Sequence, residues 1–292
     1  MAYPEEGGAA PEPYYGGGGF TSRLSYNLEG LIPLILILII GFFLAVKFGI
    51  VTTGTPVVGG LAGVFGGGDE AARMLIIGNT SRETLDVLNA NESLVKYRIV
   101  TAEELRRNPK ERLATYDIVL LDQSEQANKA VSRVLGEAIE HYVKTGGSLI
   151  TIKDSGIRRE GVRPGEIAPD VIGWKATFGD VIPVTCERAG PGINTCENKL
   201  FLRGKVWREV ENHPIMKGHD VAPVQEGLVY LFESFDVSPE GQEIAYIREE
   251  RGVGKTLPAI VEKKLIVGKS VYFNYNPGKT QGIFENTLKY LS

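Results

Sequence analysis

Cysteine, histidine, methionine and tryptophan are all scarce in this chain: 2, 3, 3 and 2 residues out of 292. Three scattered histidines and two cysteines cannot supply the four closely spaced nitrogen and sulfur ligands of an ordinary zinc site, so no metal and no cofactor is expected. Basic runs are missing as well, and the formal net charge is −4. Neutralising a phosphate backbone needs clustered Lys and Arg, so nucleic acid is excluded as an expected partner. No internal repeat is present. Together with plentiful Ile, Val, Glu and Arg, the shortage of His, Cys and Met gives the composition a thermophile-like character.

Charge is also absent from Leu31 to Val46, which reads LIPLILILIIGFFLAV between Glu29 and Lys47. Extended to Val51 with Lys47 snorkelling, a helix here is about 30 Å long, the thickness of a bilayer's hydrocarbon core. About thirty acidic-leaning residues precede the run, unlike the short basic start of a cleaved signal peptide. The expectation is a single uncleaved transmembrane helix over residues 30–51, with the lipid bilayer as a partner. Residues 1–29, rich in Gly, Pro and Tyr, cannot bury a core and form a disordered tail. Residues 52–70 read as a Gly-rich linker. As a second span, the uncharged stretch Phe48–Gly68 would return the domain to the starting side, but its glycines and Pro56 speak against that. The positive charges flanking the run nearly balance and give orientation almost no vote.

Cys186 and Cys196 lie ten residues apart in TCERAGPGINTC and could close a disulfide ring in an oxidising compartment. Free thiols, or a metal pair lacking its other ligands, are the alternatives, and hyperthermophiles keep disulfides even in the cytoplasm. The disulfide reading places the domain outside a cell membrane, in the cell envelope.

From residue 71 to 292 the texture changes to strands alternating with helices. RMLIIG (73–78), VKYRIV (95–100), YDIVLLD (116–122) and SLITIK (148–153) read as strands. The third lacks alternation, as expected when both faces are buried. Residues 125–143 have helical periodicity, Asn108-Pro109 reads as a helix stop, and 283–291 closes the chain as a helix. Such alternation predicts parallel β-α-β units. Gly252-Val253-Gly254-Lys255-Thr256 has Glu249 where a phosphate loop needs its first glycine, so it reads as a hairpin loop.

Four stretches, in this order, resemble the class I glutamine amidotransferase-like superfamily, particularly its trehalose-utilisation-like branch. They are MLIIGN; YDIVLLD with the later HYVKTGGSLITIKDS; Asn212-His213-Pro214-Ile215-Met216-Lys217-Gly218; and GKSVYFNYNPGKTQGIFENTLKYL. The resemblance covers roughly residues 73–291. It implies a mostly parallel doubly wound α/β sheet, flavodoxin-like or amidotransferase-like, here preceded by the transmembrane helix. It also implies that the catalytic cysteine is lost, since Asp154 falls where the nucleophile would stand. The branch's late histidine is likewise replaced by Asn276-Pro277-Gly278-Lys279.

Ligands of open α/β sheets bind beyond the carboxyl ends of the strands, which marks Gly78, Lys153, Asp154, Ser155 and Gly156 as the pocket. The expected function is a membrane-anchored, non-catalytic binding or scaffold module in a cell-envelope complex, with an envelope protein as partner. The alternative is a carbohydrate-processing enzyme in which His213 and Glu233 move protons beside Asp154 and Ser155.

Overall fold

A computed structural model of the chain describes residues 36–37, 71–160, 171–190, 193–252 and 254–292. The chain divides into two compact units, Met1–Thr52 and Thr53–Ser292. Of the first, only Leu36 and Ile37 are described; both are helical and exposed. The rest of the tail, of residues 30–51 and of the linker lies outside the described residues. Among the described residues no helix is long and apolar enough to cross a membrane.

The second unit is built on one ten-stranded sheet. In chain order the strands are β1 (Ala72–Gly78), β2 (Val95–Val100), β3 (Ile118–Asp122), β4 (Ser148–Ile152), β5 (Lys199–Arg208), β6 (Val221–Ala222), β7 (Tyr230–Phe235), β8 (Gln242–Glu249), β9 (Thr256–Lys264) and β10 (Lys269–Phe273). Across the sheet they run β6-β5-β8-β9-β10-β4-β3-β1-β2, with β7 pairing β5 beside β6. Strands β2, β1, β3, β4 and β10 are parallel to one another. Every pairing from β10 through β9, β8 and β5 to β6 and β7 is antiparallel.

The expected mostly parallel, doubly wound sheet behind a transmembrane helix is therefore corrected: the sheet is mixed. The physical reason lies in the connections. β8, β9 and β10 are joined by short loops, Glu250–Lys255 and Leu265–Gly268, and a short connection can join only antiparallel neighbours. The Gly252–Thr256 stretch falls in the β8–β9 loop, closed by the Glu249 amide donating to the Lys255 carbonyl at 2.9 Å.

Two apolar layers cover the sheet. On one face α1 (Arg82–Ala90) and the terminal helix α5 (Gln281–Leu291) pack on Met74, Ile76, Leu120, Ile150 and Phe273. On the other, α2 (Pro109–Leu113), α3 (Arg133–Lys144) and α4 (Lys175–Phe178) cover Leu75, Ile77, Val119, Leu121 and Tyr272. Adjacent residues of one strand thus enter different cores, which is why β1, β3 and β4 read as unbroken apolar runs.

Two helix boundaries differ from the periodicity. Helix α3 begins at Arg133, not 125, because Ser132 caps the Leu135 amide and Asn128 Oδ1 accepts from the Ala130 amide, turning the chain just before it. Asn108-Pro109 starts α2 rather than stopping a helix: Pro109 occupies its first turn, where a missing N–H costs nothing.

Candidate functional site

The strand-to-helix turn after β4 is fixed by its backbone. Lys153 adopts φ of 50°, a left-handed conformation unusual for a side-chain-bearing residue, while its amide donates to the Phe273 carbonyl at 2.7 Å. The structure thus places the sharp turn at Lys153, one residue before Asp154.

The Lys153 ammonium is buried and meets Glu233 Oε1 of β7 at 3.0 Å; Lys199 of β5 meets the same oxygen at 3.2 Å. Asp154 turns the other way and pairs with Lys129 at 3.3 Å. Lys129 also donates to the carbonyls of Gln123 and Ser124. Burial pushes the Glu233 carboxyl up, but hydrogen bonds and charge from Lys153 and Lys199 outweigh it and hold it below the usual range. Burial pushes the Lys129 ammonium down, opposed by Asp154. The result is a chain of alternating charges at the carboxyl end of the parallel strands. Glu233 and Asp154 keep side-chain exposures of 30% and 17%.

Ser155 lies under this layer with no exposed surface. Its Oγ accepts from the Gln123 amide at 2.7 Å, Gln123 Oε1 accepts from the Gly156 amide at 2.8 Å, and the Trp174 indole donates to the Ser155 carbonyl at 2.8 Å. Gly78 and Gly156 serve close packing. A Cβ at Gly78 would lie 2.0 Å from the Asp122 carbonyl oxygen, and one at Gly156 2.7 Å from the Phe178 ring.

His213 is held elsewhere. It precedes the short 3-10 turn Pro214–Met216, and its Nδ1 accepts from the Ile215 amide at 3.3 Å. That leaves the proton on Nε2, which donates to Glu262 Oε2 at 3.0 Å. Glu262 Oε1 accepts from the Tyr290 hydroxyl at 2.7 Å. Both ring nitrogens are thereby engaged, and no hydrogen bond or ion pair among the described residues joins His213 to Asp154, Ser155 or Glu233. The residues singled out for acid–base work are divided between two places.

Sequence reasoning missed Asp122, Gln123, Lys129 and Asn274. Asp122 accepts from the Thr80 hydroxyl and from the amide and hydroxyl of Ser124 at 2.9 and 2.5 Å. Burial nonetheless raises its pKa. Asn274 ties β10 to β7 and β9: it accepts from the Phe235 amide at 2.8 Å and donates to the Phe235 and Pro258 carbonyls, each at 2.9 Å. Asp122 ends an apolar strand, a position that signals a ligand-facing carboxylate; Asn274 carries no such signal. Among the described residues no group of three His, Cys, Asp or Glu is placed to hold a metal. Cys186 and Cys196 form a disulfide.

No protein-family model and no curated protein matches the chain. Similar solved structures include a β-galactosidase from Rahnella sp. R3, 16% identical over 80% of this chain and 33% of that one, with a TM-score of 0.48. Gan42B, a GH42 β-galactosidase from G. stearothermophilus, is 13% identical over 79% of this chain and 31% of that one, TM-score 0.46. The carbohydrate deacetylase Agd3 is 10% identical over 75% and 32%, TM-score 0.41. These neighbours are carbohydrate-active enzymes, and the chain spans about a third of their lengths. The resemblance to class I glutamine amidotransferases is corrected: the sheet is mixed and not mostly parallel, and no family model matches the chain. TM-scores below 0.5 leave the activity to the site itself.

Proposed function

We propose that the chain acts in carbohydrate processing and that a sugar binds beyond the ends of β3 and β4, against Glu233 of β7, Asp154 and their lysines. The Glu233–Lys153–Lys199 cluster carries this reading. An ionised carboxylate with free lone pairs accepts from paired ring hydroxyls, and a neighbouring ammonium donates to a third, which suits a neutral polyhydroxylated ligand. The neighbours' chemistry agrees with it, though they are far longer than this chain.

Titration calorimetry of the full chain with galactosides, mannosides and N-acetylated oligosaccharides tests the reading, alongside hydrolysis and deacetylation assays. Binding that weakens about tenfold in Lys199→Ala, a half-exposed position, supports it. Heats indistinguishable from dilution across the panel would overturn it.

A non-catalytic binding or scaffold role is favoured by one observation: Ser155 and His213 are both consumed inside the fold. Sugar binding without turnover selects that version. Location at a membrane, with the domain outside the cell, rests on residues 31–46 and the cysteine pair. Protease protection of residues 71–292 in right-side-out vesicles would reject the outside placement.

A further inference from the structure

Three strands across the sheet from β4, the β2 edge carries a different chemistry. Arg98 sits in the edge strand β2, in register with the buried Leu75 of β1. Beside them α2 and the segment before it border an open cavity of about 540 Å³, lined by Arg98, Arg107 and Arg112 with Leu75 and Tyr116. A second cavity of about 630 Å³ continues past Arg107 and Glu111 toward Arg106 and Lys110.

What distinguishes this place is an excess of positive over negative charge. Arg106 is taken by Glu160, at 2.9 Å to both carboxylate oxygens, and by Glu103 at 2.8 Å. Arg112 donates to the Glu104 carbonyl, a neutral group. Among the described residues no ion pair or side-chain hydrogen bond engages Arg98 or Arg107. Glu111 lines the cavity as its one carboxylate. Glu104 lies close enough for its carboxylate to feel the charges of Arg112 and Arg98, while its Oε1 accepts from the amide and hydroxyl of Thr101 at 3.2 and 3.0 Å. Three guanidiniums therefore face one cavity with Glu111 on its wall and Glu104 beside it, which leaves one positive charge in excess. A guanidinium offers a planar fork of donors that matches a phosphate or carboxylate, and Tyr116 and Leu75 add an apolar floor for the body of a small molecule.

We propose that this cavity binds a phosphate-bearing small molecule, its phosphate held by Arg98, Arg107 and Arg112. The site is separate from the sugar site proposed above and does not depend on it.

Calorimetry on the full chain tests the proposal, with inorganic phosphate first and then a hexose phosphate beside its unphosphorylated hexose. Phosphate should bind, the hexose phosphate more tightly, and both should weaken as salt is raised. Arg107→Ala and Arg98→Ala, both at exposed positions that the fold tolerates losing, should each weaken phosphate by about tenfold or more while the melting temperature stays unchanged. Lys199→Ala should leave phosphate binding intact. Absence of phosphate binding at about ten millimolar, or binding that survives the double Arg98→Ala/Arg107→Ala variant, would overturn the assignment.

Discussion

Glu262 is a carboxylate with 1% of its surface exposed, and its neighbours explain how the fold tolerates it. Burial pushes its pKa up; hydrogen bonds from His213 and Tyr290, helped by the charge of Lys264 3.6 Å away, outweigh that and hold it down. Tyr290 belongs to α5 and His213 to the turn that packs on α5, so this one carboxylate fastens both to β9. Removing the hydroxyl in Tyr290→Phe deletes one charge-assisted hydrogen bond and leaves the ring in place. The expected cost is about 1.5–3 kcal/mol, seen as a lower urea midpoint at unchanged slope. The same variant should leave sugar and phosphate binding alone, and a change in either would return His213 and Glu262 to the functional site. The pH dependence follows from the same groups. Glu233 and Glu262 both have folded pKa values below their ordinary 4.5. Their stabilisation is thus complete above about pH 4.5 and is lost as pH falls through the lower folded values. Asp122, raised by burial, acts in the opposite sense and costs stability once it ionises. Melting temperature followed from pH 6 to pH 2 should fall on the acid side of 4.5, and less steeply in Glu233→Gln; a flat profile would reject the lowered values.

At the scale of elements, α3 offers a test in which packing reverses propensity. Gly136 lies inside this twelve-residue helix, where Gly→Ala ordinarily gains up to about 1 kcal/mol. Here the new Cβ would sit 2.3 Å from the Thr177 carbonyl oxygen and 2.8 Å from its methyl, so α4 must move. Gly136→Ala should therefore destabilise by about 1–3 kcal/mol, whereas Val134→Ala on the exposed side of the same helix should be neutral or slightly stabilising. Chemical denaturation of the two variants side by side checks both signs. The contrast also shows what could be read from local pattern. The strands β1, β3 and β4 were legible because a strand buried on both faces must be apolar throughout. The Ser132 cap and the true start of α2 were harder, since Asn128 and Pro109 act through backbone geometry rather than periodicity. Lys153 and Glu233 stand 80 residues apart, and nothing local announces that β7 folds back beside the β4 turn. Strands β7 to β10 were legible as short runs over 228–273, and the hairpin loop at Gly252–Thr256 marked one antiparallel pair; the order of the other strands was not legible, because it is set by which loops close and not by strand composition. His213 was noticed from its motif, but its partner Glu262 is brought by sheet register alone.

The whole domain gains a covalent constraint outside the sheet. Cys196 is buried, and Cys186 packs against the core that α3 and Trp174 share. Their bond closes a ring ten residues in sequence separation within the segment between α4 and β5. That ring is tied back by hydrogen bonds: the Thr195 amide donates to the Glu187 carbonyl at 2.8 Å, and the Glu187 amide donates to Thr195 Oγ1 at 3.2 Å. Ser238 reaches Glu187 at 2.5 Å from the strand region beyond β7. Closing a loop of this length in the unfolded chain is worth roughly 2–3 kcal/mol by chain entropy. For a domain of this size, that is a fall in melting temperature of about 5–10 °C on reduction. Cys186→Ser/Cys196→Ser should show the same fall without a reductant and no further change with one. Because such bonds persist mainly in oxidising surroundings, the free-thiol content of protein taken from its own cells bears on the compartment at the same time. Two reactive thiols and a melting temperature indifferent to reductant would remove both the bond and the argument for an exterior domain.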